Sequence, residues 1–165
     1  MTRLALLGTT TALLAALTLP APALAARGDG ALWATVNVCD TARRPDVLGI
    51  RASMPGTGRP GRLFMRFRAQ FRAGLRAPWR PAPRGSDSGW RAVGPARFAA
   101  RESGWSFTFP APAVDRYYEL RGRVGFEWRV GRRVLRRAAR ITEAGHRSTA
   151  GADPASFSAA SCRIT

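Results

Sequence analysis

The sequence contains no lysine, a single histidine and only 2 cysteines in 165 residues. That inventory falls short of the four nitrogen or sulfur ligands a closed zinc or iron–sulfur site requires, so no metal or other cofactor is expected. Acids are scarce as well: 10 Asp+Glu face 27 basic residues, all arginine, for a formal charge of +17. No acidic pair has the spacing of a calcium loop. Beyond the first residues no long apolar run occurs, which argues against membrane embedding of the main body, and no long stretch has helical periodicity.

What is present begins with an export signal. Arg3 precedes an uncharged stretch from Leu4 to Leu19, Pro20 and Pro22 interrupt it, and Ala23-Leu24-Ala25 has the small-x-small pattern of a cleavage site. The expected organisation is a signal peptide over 1–25, cut after Ala25, and one domain over 26–165, secreted and extracellular. An oxidising destination favours disulfides, and Cys39 and Cys162 allow a single intramolecular bridge between the first and last parts of the mature chain. The Arg27-Gly28-Asp29 triplet lies just after the cut and reads as terminus.

The arginine excess has two sources that composition cannot separate, a GC-rich coding bias and selection for anionic partners. Either way, a strongly cationic domain associates with polyanions at low salt. The charge is concentrated, since Arg51 to Arg101 holds twelve arginines with Asp87 as its one acid.

Alternation of apolar and polar residues predicts strands. Leu32 to Cys39 and Val47 to Met54 are the first, the latter aligning Leu48, Ile50, Ala52 and Met54. Leu63, Met65, Phe67, Ala69 and Phe71 alternate with Phe64, Arg66, Arg68 and Gln70. Gly74 to Gly89, with Pro78, Pro81 and Pro83, reads as a long surface connection. Short strands are expected at Trp90 to Val93, Arg97 to Ala99 and Gly104 to Phe109. The strongest pattern runs from Tyr118 to Val130, apolar at every second position, with a hairpin turn at Gly131 and a return over Val134 to Thr142. Ala155 onward supplies a last strand. About seven to nine short strands without helices predict an all-β antiparallel sandwich, with Trp33, Trp105 and Trp128 at its centre. A closed antiparallel barrel uses the same alternation and is the alternative.

Tyr118-x-Leu120, Val124 and the Gly131 hairpin resemble the late F–G hairpin of immunoglobulin-like and fibronectin-III-like domains, an architecture-level likeness. The resemblance implies a tyrosine near the start of that strand bonded to upstream backbone. The cysteines depart from the immunoglobulin pattern, which bridges the second and sixth strands. A fold likeness of this kind implies no activity.

Gly85-Ser86-Asp87-Ser88-Gly89 resembles the Asp-Ser-Gly nucleophile motif of serine proteases only locally, and its composition is that of a polar turn. His146, with Ser148 or a carboxylate such as Asp153, is the one candidate for exported hydrolase chemistry. Trp79 and Trp90, if exposed, would form a carbohydrate-binding platform. The favoured expectation is a secreted, non-catalytic binding or structural module. Its candidate surface is Arg62, Arg66, Arg68 and Arg72 on one strand and Arg121, Arg123 and Arg129 on another. The partners expected are anionic envelope polymers or another exported protein, without sequence-specific nucleic-acid recognition.

Overall fold

A computed structural model describes residues 32–165 apart from Leu75 and Ser148. The signal segment, its cleavage point and the Arg27-Gly28-Asp29 triplet lie outside the described residues, as does Ser148. The described chain is all-β, without helix. Its strands are β1 (Trp33–Thr41), β2 (Arg44–Pro55), β3 (Arg62–Arg72), β4 (Arg80–Pro81), β5 (Arg91–Pro95), β6 (Ala100–Thr108), β7 (Tyr118–Val130), β8 (Arg133–Ile141) and β9 (Cys162–Ile164). They form a 3-stranded sheet in the order β1-β2-β6 and a 6-stranded sheet in the order β4-β3-β7-β8, with β5 added to β3 and β9 to β7. Every ladder between these strands is antiparallel. Neither sheet closes on itself, which corrects the barrel alternative: β8 and β4 end the larger sheet on opposite sides without pairing.

Both sheets contribute to one buried core. Leu48, Ile50, Ala52 and Met54 of β2 are buried with Leu63, Met65 and Phe67 of β3 and with Leu120, Val124, Phe126 and Trp128 of β7. Each large side chain removed from water here contributes about 1.5–3 kcal/mol. The Trp128 indole N–H also donates to the Pro55 carbonyl at 2.8 Å, tying the end of β2 to β7. Trp33 and Trp105, expected at the centre, are only half-buried. Both sit on edge strands of the smaller sheet, where one flank lacks a neighbouring strand. Trp33 stacks on the His146 ring, and the Arg91 guanidinium lies 4.3 Å from the Trp105 ring centroid.

Arg97 to Ala99 is a turn rather than a strand. It interlocks with the loop after β2: Gly56 N–H donates to Ala99 O at 2.9 Å, and Thr57 N–H to Ala96 O at 2.7 Å. The expected disulfide is formed. Cys39 of β1 and Cys162 of β9 have Cα atoms 5.3 Å apart, so the bridge links the smaller sheet to the larger. Tyr118 opens β7 as expected but makes no hydrogen bond to upstream backbone among the described residues; its ring lines a cavity at that end of the sheets.

Candidate functional site

The pairing of β3 with β7 decides where the charge goes. Even-numbered residues of β3 and odd-numbered residues of β7 point away from the core, since their neighbours fill it. The register sets Arg62 opposite Arg129, Arg66 opposite Gly125, Arg68 opposite Arg123, Gln70 opposite Arg121 and Arg72 opposite Glu119. All seven arginines singled out from the sequence therefore share the outer face of the larger sheet. β9 and β8 add Arg163, beside Glu119, and Arg137, beside Glu127.

Like charges set directly across a ladder destabilise it. Three carboxylates offset the repulsion here. Glu127, although on the outer face, is 2% exposed. Its Oε2 accepts from Arg129 Nε at 2.6 Å and its Oε1 from Arg137 Nε at 2.8 Å. Burial favours the neutral carboxyl, but the hydrogen bonds from Arg137 and Arg129 outweigh it and hold the pKa below the ordinary value. Glu119, also buried, accepts from Ser161 Oγ at 2.9 Å and faces Arg163 at 3.6 Å and Arg72 at 3.7 Å. Both glutamates are buried although they sit on the outer face, beneath the arginines that pair with them.

The third carboxylate comes from the connection after β3. Residues 82–88 run along β3, with Ala82 N–H donating to Ala69 O, Ala69 N–H to Ser86 O, and Ser88 N–H to Phe67 O at 2.9 Å. This places Asp87 against Arg66, whose Nε and Nη2 donate at 2.9 and 2.6 Å. The Arg66 bond, with a further bond from the Gly89 N–H, holds the Asp87 pKa below its usual value. Of the Gly85–Gly89 motif, expected as a polar turn, only Gly85 lies in a turn; Asp87 bridges Arg68 of β3 and delivers a counter-charge. Ser88 Oγ accepts from Phe67 N–H at 2.9 Å and donates to Gly89 O at 2.8 Å.

Two tryptophans of the same connection lie on this face. Trp79 is half-buried, with the Arg72 and Arg121 guanidinium carbons 4.6 and 4.4 Å from its ring centroid. Arg121 also donates to Gln70 Oε1 at 2.9 Å, and desolvation together with the Arg72 and Arg123 charges lowers its pKa. Trp90 is 37% exposed. Its ring rests above Gly125, where a Cβ would come within 3.1 Å of it, and Arg129 lies 5.5 Å from its centroid. Arg62 and Arg123 are exposed, and their side chains make no hydrogen bond or ion pair among the described residues.

His146 lies elsewhere. Its ring stacks on Trp33 with centroids 4.5 Å apart and planes 13° apart, and its backbone N–H donates to Ser158 Oγ at 2.9 Å. Asp153 is directed to Thr41 Oγ1, at 2.7 Å, and to Arg43, at 3.9 Å. No group of three or more His, Cys, Asp or Glu side chains gathers among the described residues.

Sequence reasoning missed Glu119, Glu127, Asp87, Arg137 and Arg163 as members of this surface. Glu119 and Glu127 share the parity of the β7 arginines, so the signal for them was present. The approach of Asp87, Trp79 and Trp90 depends on how the 73–90 connection folds back, which no periodicity encodes. No protein-family profile, curated protein or solved structure matches the chain.

Proposed function

We propose that this is an exported, non-catalytic β-sandwich domain that binds anionic polymers through the arginine face of its larger sheet. One observation carries the reading: the β3–β7 register collects Arg62, Arg66, Arg68, Arg72, Arg121, Arg123 and Arg129 on one surface, against Asp87, Glu119 and Glu127. Arg62 and Arg123 are the free contact points, while the remainder add to the field only where no carboxylate cancels their charge. The strand orders β1-β2-β6 and β4-β3-β7-β8 support an immunoglobulin-like arrangement, in which β7 and β8 take the place of the F–G hairpin. The signal-like first segment and the disulfide support an oxidising, extracellular destination.

Salt elution of the oxidised protein from a heparin column, a sulfated polymer, tests the reading. Replacing Arg62, Arg68 and Arg123 by alanine is expected to lower the eluting salt and to flatten the salt dependence by about two in log–log slope. Removing Arg43, Arg44 and Arg147, which are exposed outside the larger sheet, changes net charge equally. Equal losses in the two variants would mean that net charge alone governs retention, and the surface assignment would fall.

A further inference from the structure

We propose that the protein carries a second, independent site: an apolar cavity that takes a single-chain amphiphile with a carboxylate head. The cavity, about 340 Å³, opens where β3 and β6 end and β7 begins. Its walls are Phe71, the last apolar residue of β3, Phe109 just past β6, and Tyr118 and Leu120 at the start of β7. Leu120 is buried, and the three aromatic rings are half-buried against the main core. The space is thus a continuation of the core that stays open to solvent, with a volume in the range of small-molecule sites. Water in such a space has few polar partners, so an apolar chain displacing it is favoured.

The charge around the cavity selects the head group. Arg72 and Arg116 line it, and no carboxylate does among the described residues. The Arg72 guanidinium is engaged by Glu119 at 3.7 Å and by the Trp79 ring at 4.6 Å, so its stem serves as wall. Arg116 is exposed and has no ion pair among the described residues. It is held in position by a turn in which its backbone N–H donates to Ala113 O at 3.0 Å. A carboxylate at the rim would meet Arg116 in the forked geometry that suits the pair, while its chain occupies the space between Phe71, Phe109 and Leu120. The site differs from the arginine face in position and in chemistry: one takes a polymer by charge, the other a short chain by burial.

Calorimetric titration of the oxidised protein with decanoate and with decanol, both below their aggregation limits, tests the proposal. The expected result is saturable 1:1 binding of decanoate, several-fold tighter than decanol. Ala73→Trp and Pro110→Trp, each placing a large ring at an exposed lining position, should abolish binding of both ligands with circular dichroism unchanged. Arg116→Ala, at an exposed position, should weaken decanoate about three- to tenfold and leave decanol and the circular dichroism unchanged. The variant lacking Arg62, Arg68 and Arg123 should bind decanoate normally, which separates this site from the polymer surface. Absence of saturable binding, equal affinity for the two ligands, or decanoate binding that survives either folded tryptophan variant would overturn the proposal.

Discussion

Replacing both Cys39 and Cys162 by alanine should destabilise the protein by several kcal/mol while leaving its native structure in place. The bridge spans a sequence separation of 123 residues. Closing a loop of that length in the unfolded chain is worth about 5 kcal/mol in the chain-entropy relation. The native state keeps β9 without the bridge. Tyr118, Glu119 and Leu120 pair with it, Ile164 is fully buried, and Val36 and Ala159 exchange backbone hydrogen bonds at 2.9 and 3.0 Å just before it. The loss therefore falls on the unfolded state, which becomes larger and more disordered. Urea denaturation followed by tryptophan fluorescence should show a lower midpoint and a steeper slope, because the uncrosslinked chain exposes more surface. Against a typical domain stability of about 5–15 kcal/mol, this loss lowers the melting temperature by about 15 °C. A change below about 1 kcal/mol with an unaltered slope would refute the argument. So would loss of hydrogen-exchange protection confined to β9, since the bridge would then be acting on the native state.

Two further perturbations test the fold and its charge pairing. Glu127→Gln removes an acceptor shared by Arg129 and Arg137, whose side chains are 23% and 73% exposed; the exposed partner counts for little, so the loss at neutral pH is about 2 kcal/mol. Because the folded-state pKa of Glu127 is depressed, its stabilisation is complete above the ordinary carboxylate value, about 4, and disappears as pH falls through the lower folded value. Urea midpoints of parent and variant should therefore converge in acid, and a constant difference between pH 7 and pH 2 would contradict the pairing. Gly56→Ala would drive a methyl into the Phe98 and Ala96 carbonyl oxygens. Backbone atoms cannot yield as a side-chain end can, so a loss of at least about 2 kcal/mol is expected in the same assay, and a neutral outcome would show that the interlocked loops are slack.

How much was legible follows from what each signal measures. Strict alternation from Tyr118 to Val130 recovers β7 at both ends, because every slip by one residue would turn Val124, Phe126 and Trp128 into water. The same rule recovers β3 and the arginine parity. It cannot tell an open pair of sheets from a barrel, since both bury alternate residues. It also failed at Arg97–Ala99, where the chain turns so that Ala96 and Ala99 can accept hydrogen bonds from the loop at 56–58. Trp33 and Trp105 were assigned to the centre by size and strand propensity, but edge position is a property of strand order and not of the strand itself. The disulfide was legible by arithmetic, there being one way to pair two cysteines.

The arginine parity overstates the contact surface, and the reason lies in what a guanidinium can do that an ammonium cannot. Arg129 donates to Glu127 while its carbon lies 4.0 Å from the Phe64 ring centroid. Arg121 donates to Gln70 while stacking on Trp79. A planar, delocalised cation can bond at its edge and pack on its face at once. Those side chains are thereby fixed in the architecture and have little left to offer a ligand. Their charge is a separate matter. A carboxylate partner cancels charge at long range, whereas an aromatic ring does not, so Arg121 on Trp79 still contributes to the field and Arg66 on Asp87 largely does not. On the proposed reading, attraction of a polymer would count arginines minus carboxylates over the whole face, while tight contact would fall to guanidinium groups without a carboxylate partner, those of Arg62 and Arg123 among them.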